Sequence, residues 1–159
     1  MTATSFSPTF RNALETLCNR LAGFTWAVTA STNLAFRGIP VEPGDIDLVT
    51  DEPGAYGIEK RFEGSVIEPV TSSKSVEKRI NSHYGALAID GVRVEIMGDV
   101  EHYVDGKWTP TADVSDSREF VALDGHEVPV MPIEHERTGY RELGRDERVR
   151  LIDRHGGAK

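Results

Sequence analysis

The chain has 159 residues, 38% apolar and 28% charged, which is one domain's length with room for one core and excludes a disordered chain. A formal net charge of -8 argues against a sequence-independent grip on a long nucleic acid. No stretch approaches the roughly 20 apolar residues of a membrane span, and no basic stretch followed by an apolar run opens the chain, so cytoplasmic residence is the expectation.

In chain order, residues 1–8 are rich in Ser and Thr and are expected to be loose. Phe10, Leu14, Leu17, Cys18 and Leu21 recur at helical spacing and predict an amphipathic helix over 8–22, stopped by Gly23. Cys18, the only cysteine, has no partner for an internal disulfide and reads as a core residue. Trp26 to Ala30 reads as a short buried strand with Trp26 in the core. Ser31-Thr32-Asn33 is a helix-start signal, with a short helix over 33–36 ended by Gly38. Asp45 to Thr50 alternates polar and apolar, which predicts a strand with one buried face. A turn over 51–54, a helix over 55–62 and a strand over 66–70 follow. Ser72 to Ile80 is polar and fits no element clearly.

The sharpest local signal is Asp90-Gly91 between the alternating runs 84–89 and 92–97, a two-residue hairpin. Asp124-Gly125 joins 120–123 to 128–131 in the same way, and Asp105-Gly106 lies in a more irregular stretch. Trp108, in that stretch, reads as a surface residue. Two helices are expected at the end, over 133–143 and 146–155. The order predicts an α+β domain: a central mixed β-sheet flanked by helices, with C-terminal helices.

Three features bear on chemistry. Asp45 and Asp47 sit two apart on a strand, so both carboxylates project from one face, about 7 Å apart at the backbone. They repel unless a cation lies between them, and Mg²⁺ prefers such oxygen ligands. Taken alone, an exposed polar strand face explains them as well. Ser31, Thr32 and Asn33 open a helix directly after a buried strand, where N–H groups attract anions, although a plain helix cap is the simpler reading. Glu95 alternates with Val94 and Ile96 on the face of Arg93 and Met97, either as a third acid or as a surface residue paired with Arg93.

Together these features are more specific than any one alone. Ala30-Ser31, thirteen intervening residues, Asp45-Ile46-Asp47 and a later Glu95 resemble the signature of the DNA polymerase beta-like nucleotidyltransferase superfamily. Within it the chain is most similar to small prokaryotic proteins related to aminoglycoside and lincosamide nucleotidyltransferases. The resemblance is carried by a core over about 24–98. A weaker match follows in the C-terminal hairpin and helices, about 118–155, including Tyr140 to Arg145. All of 1–159 is then expected to be a single nucleotidyltransferase-like domain. One departure is plain: Ala30 stands where the family usually has glycine, which lets backbone approach the phosphates closely.

The resemblance implies a role for each residue. Asp45, Asp47 and Glu95 would be the metal ligands and catalytic acids, holding two Mg²⁺ ions and a nucleoside triphosphate. Ser31, with the N–H groups after it at Thr32 and Asn33, would take the phosphates, with Arg79 as a supporting cation. Lys74, Lys78, His83 and Arg37 are further cations within reach of that role, or parts of a solvated face. Tyr140 and Arg145 would border the acceptor pocket. The implied reaction is Mg-dependent transfer of a nucleoside monophosphate to a hydroxyl of a small-molecule acceptor. The alternative, favoured by Ala30, is a catalytically weak or inactive binding protein such as a nucleotide sensor or a toxin–antitoxin partner. His102 and His135 are undetermined, His126 and His155 read as surface residues. Ile133, Leu143, Val149, Leu151 and Ile152 need cover, which leaves a homodimer open.

Overall fold

The computed structural model describes residues 6–155. The expectation of a loose N-terminus falls outside the described residues up to residue 5. Beyond it, Phe6 is buried, with its ring centroid 5.3 Å from that of Phe10 and 5.0 Å from that of Phe36. Helix α1 (Pro8–Arg20) starts where the Ser7 hydroxyl accepts the Phe10 N–H and Pro8 opens the first turn.

Among the described residues eight strands form one mixed sheet: β1 (Trp26–Thr29), β2 (Ile46–Thr50), β3 (Val66–Ser75), β4 (Ile80–Ile89), β5 (Val92–Val104), β6 (Lys107–Pro110), β7 (Glu119–Leu123) and β8 (His126–Val130). Their order is β3-β4-β5-β2-β1-β8-β7, with β6 paired to the far end of β5. The β2–β5 and β1–β8 pairs are parallel and the rest antiparallel. Each Asp-Gly pair turns a hairpin with positive φ at both residues: 51° and 84° at Asp90-Gly91, 52° and 78° at Asp105-Gly106, 50° and 83° at Asp124-Gly125. The polar stretch 72–80 is strand up to Ser75, then a turn with Arg79 at φ 63°. Backbone pairing with β4 holds it although most of its side chains are exposed.

The helices are α2 (Ala30–Phe36), α3 (Glu52–Arg61), α4 (Val114–Ser117), α5 (Ile133–Glu142) and α6 (Asp146–His155). Asp51 to Gly54 is a helix start and not the expected turn, because the Asp51 carboxylate accepts the Gly54 N–H at 2.7 Å. The main core packs α1 and α3 on one sheet face, around Leu14, Leu17, Val28, Ile46, Leu48, Ile58, Val94 and Ile96. Gly98 makes the close approach possible, since a Cβ there would lie 2.8 Å from the Asp51 carbonyl oxygen and 2.9 Å from Ala55 Cβ. A second cluster joins the tail to α2 through Leu34, Ile39, Tyr140 and Ile152, with Ile133, Val149 and Leu151 packed against it. Of the five tail residues expected to need cover, Ile152 is thus buried within the chain, Ile133, Val149 and Leu151 are partly covered, and Leu143 lies outside this cluster. Among the described residues no helix is long and apolar enough to cross a membrane.

Candidate active site

Register places the site. Thr29 on β1 pairs with Asp47 on β2, and Asp47 pairs with Glu95 on β5. Residues paired directly across strands share a sheet face, so these three stand in a row. Ile46, Leu48, Val94 and Ile96 alternate with them and are fully buried on the opposite face. The same period that fills the core therefore sets the carboxylates on the far side. There they line a cleft of about 280 Å³ with Ala30, Ser31, Glu136, Tyr140 and Arg145.

Asp47 and Glu95 are direct partners across the β2–β5 pair, so two acids of like charge face each other there. Burial first, then the charge and hydrogen bond of Glu95, then the charges of Asp45 and Glu136, push Asp47 up to about 7. Glu95 also accepts from Arg93 Nε at 2.9 Å, while Arg93 Nη2 reaches Tyr84 Oη at 3.0 Å and Glu68 at 2.8 Å. Glu95 is thus paired with Arg93, as one reading expected, and the same side chain lies on the cleft wall. Asp45 stands just before β2, where its carbonyl oxygen accepts from Thr32 Oγ1 at 3.0 Å.

Asp45 is not among the residues of the cleft wall, and among the described residues no three His, Cys, Asp or Glu side chains are gathered closely enough to hold an ion. The donor set still fits Mg²⁺. That ion is commonly held by one or two carboxylates plus substrate phosphates and keeps several waters. Asp47 and Glu95 offer hard oxygens, and a cation between them would relieve the repulsion that helps to raise Asp47.

The turn before Ser31 is built around Ala30, which takes φ 60°, a left-handed conformation unusual for a residue with a Cβ. Its N–H donates to Glu136. Thr29 Oγ1 donates to Glu136 Oε2 at 2.7 Å, and Asn33 Nδ2 donates to the same oxygen at 2.8 Å and to the Met131 carbonyl at 2.7 Å. Thr32 and Asn33 are fully buried, so their side chains serve the fold. Ser31 is on the cleft wall. Glu136 is only 5% exposed, and burial pushes its carboxyl up to about 7 although its hydrogen bonds lower it. Sequence reasoning missed Glu136, which sits in a charged run that reads as solvated. The one available signal was its helical spacing from Ile133 and Tyr140 on one face of α5.

The cations distribute unevenly. Arg79 donates to the Glu142 carbonyl at 3.2 Å and is not among the residues of the cleft wall. Arg37 pairs with Glu119 at 2.8 Å, Lys74 lies 5.3 Å from the Trp108 ring centre, and His83 meets Tyr56 at 2.9 Å. Arg145 does line the cleft, with its guanidinium 5.4 Å from the Tyr140 ring centre. Arg148 lies 5.9 Å from the same ring, and its Nη1 is buried without a hydrogen-bond partner. His102 is buried with its Nδ1 2.9 Å from Glu142 Oε1, and burial together with His102 pulls His135 down to about 4, which keeps it neutral. His135 also lines a second cavity of about 320 Å³ and a third of about 460 Å³, both adjoining the cleft. The third is walled in part by Asp51, Asp99, Glu101 and Asp113. Burial and Glu15 push the Cys18 thiol up to about 11, which speaks against a nucleophile there.

The aminoglycoside-2''-adenylyltransferase family model matches residues 13–158. A Thermotoga maritima structure provisionally described as a nucleotidyltransferase is 36% identical over 97% of this chain and 96% of its own, with a TM-score of 0.82. ANT(2'')-Ia in complex with adenylyl-2''-tobramycin is 13% identical over 94% of this chain and 88% of its own, with a TM-score of 0.54. A lincosamide antibiotic adenylyltransferase with bound lincomycin is 10% identical over 91% of this chain and 98% of its own, with a TM-score of 0.53. At these identities the last two share the fold alone. No curated protein matches the chain.

Proposed function

The chain belongs to the aminoglycoside-2''-adenylyltransferase family, and on that premise we propose that it transfers a nucleoside monophosphate from a triphosphate, with Mg²⁺, to a hydroxyl of a small-molecule acceptor. The observation that carries this reading is the placement of Asp47 and Glu95 abreast on parallel strands, in one cleft with Ser31. Asp47 and Glu95 on the cleft wall, with Asp45 just before β2 as a third carboxylate, would hold Mg²⁺, and the ion would neutralise the phosphates and stabilise the entering and leaving oxygens. Ser31 and the N–H groups of its turn bind the β- and γ-phosphates, and Arg145 offers a charge at the cleft wall. The acceptor oxygen attacks the α-phosphorus, the bond from that phosphorus to the bridging oxygen breaks, and pyrophosphate leaves. Glu95, oriented by Arg93, takes the acceptor proton.

The tail takes part in the same site, since Glu136, Tyr140 and Arg145 share the cleft with Asp47. Residues 1–159 thus act as one nucleotidyltransferase-like domain. The acidic third cavity next to the cleft, like the net charge of -8, suits an acceptor that is small and cationic over a nucleic acid. Ala30 is the feature that favours a non-catalytic binding protein. Against it, Ala30 keeps the left-handed turn in spite of its methyl group.

The test is pyrophosphate release from ATP in Mg²⁺ across a panel of hydroxylated small amines. Release with at least one acceptor, falling more than about 100-fold in Asp47→Asn, is the expected result. ATP binding with no release across the panel would favour the binding-protein reading. Release unaffected by Asp47→Asn would dismiss the assigned site.

A further inference from the structure

Glu136 is a buried carboxylate to which the triphosphate reaction above gives no part. It receives three donors, the Thr29 hydroxyl, the Ala30 N–H and the Asn33 amide. All three come from the segment that surrounds Ser31, and none from Ser31 itself. Ala30 needs such a contact, because a left-handed backbone is disfavoured for any residue with a Cβ. Asn33 passes the tie on to the Met131 carbonyl, just past β8, and so fixes the segment to the sheet. On its own side Glu136 rides on α5, whose Ile133 and Tyr140 pack into the cluster with Leu34. Glu136 Oε2 already accepts two donors, which suits a holding role better than a reacting one.

We propose that Glu136 is a positioning residue of the nucleotide site: from α5 it clamps the Thr29–Ala30 turn in the shape that presents Ser31 to the β- and γ-phosphates. The proposal rests on the nucleotide-transfer reading. It gives the C-terminal helices a specific task in binding, beyond covering apolar surface. It also explains how Ala30 is kept in a left-handed conformation. A carboxylate is the suitable group, since it accepts at every position, whereas an amide would turn N–H groups toward donors.

The experiment compares ATP and AMP binding in Mg²⁺ by titration calorimetry, with amide hydrogen exchange of the ligand-free protein. The proteins are wild type, Glu136→Gln, Thr29→Val and, as a control destabilised far from the cleft, Leu17→Ala. A general loss of structure would weaken both nucleotides together, whereas a displaced Ser31 weakens only the one that carries β- and γ-phosphates. In Glu136→Gln the expected result is about a tenfold loss of ATP affinity with AMP affinity held within about twofold, and faster exchange at Ala30 and Ser31. Thr29→Val should move the same way by less, and Leu17→Ala should keep the preference for ATP. Unchanged ATP affinity in Glu136→Gln, or parallel loss of ATP and AMP, would overturn the clamp while leaving the nucleotide reading in place. A wild type that binds neither nucleotide would overturn the nucleotide reading and this role with it.

Discussion

Asp47 and Glu95 lie side by side on β2 and β5, so the ligand-free cleft carries an unfavourable pair of acids. A carboxyl raised from its ordinary range to about 7 holds its proton more tightly in the folded state. Its contribution to stability is present below pH 4 and is lost as pH rises through 7. Asp47→Asn removes that loss for Asp47. Denaturant midpoints without metal should therefore show the variant more stable than wild type at pH 7, with the gap closing toward pH 4. Ala30 allows a second expectation. Ala30→Gly relieves a left-handed alanine and should stabilise the protein by about 1 kcal/mol in urea unfolding, net of the entropy that glycine adds to the unfolded chain. Of these residues, the placement of Asp47 and Glu95 on strands and of Ser31 at a helix start was legible from local alternation and a turn signal, while their grouping into one candidate site came from the family resemblance. Glu136 was not, because its donors are over 100 residues away along the chain.

At the scale of elements, the site depends on β2 lying beside β5, and β5 on α3 packing closely across it. Gly98→Ala would drive a methyl to within 2.9 Å of the helix start at two points, one of them backbone. A loss of about 1–3 kcal/mol is expected in denaturant unfolding, the usual range for overpacking. The hairpins at Asp90-Gly91 and Asp124-Gly125 were readable from sequence because Asp-Gly supplies two positive φ values at little cost, whereas the one at Asp105-Gly106 was hidden in an irregular stretch. The segment 72–80 was not. Its strand is held by backbone bonds to β4 and carries exposed polar side chains, so no alternation betrays it. The start of α3 was hidden for a different reason: Asp51, Pro53 and Gly54 suit a turn and a capped helix equally well, and burial of Ala55 and Ile58 decides between them.

Over the whole molecule, the sheet divides labour between its faces. One face, under α1 and α3, holds the main apolar core, and the other presents acids to a cleft that α5 helps to wall. The mixed sheet and terminal helices were foreseeable from the order of elements. That the tail would reach the site with Glu136, Tyr140 and Arg145 was foreseeable only in part, for Tyr140 and Arg145, because nothing in the tail's own pattern states which sheet face it covers. A site assembled in this way should bind a triphosphate only when a cation relieves the acids. The measurement that tests this most directly is calorimetric titration of ATP into wild type and Asp47→Asn, with and without Mg²⁺. Saturable binding that needs Mg²⁺ and vanishes in Asp47→Asn is the predicted result. Binding that is indifferent to Mg²⁺, or equal in the two proteins, would contradict the account.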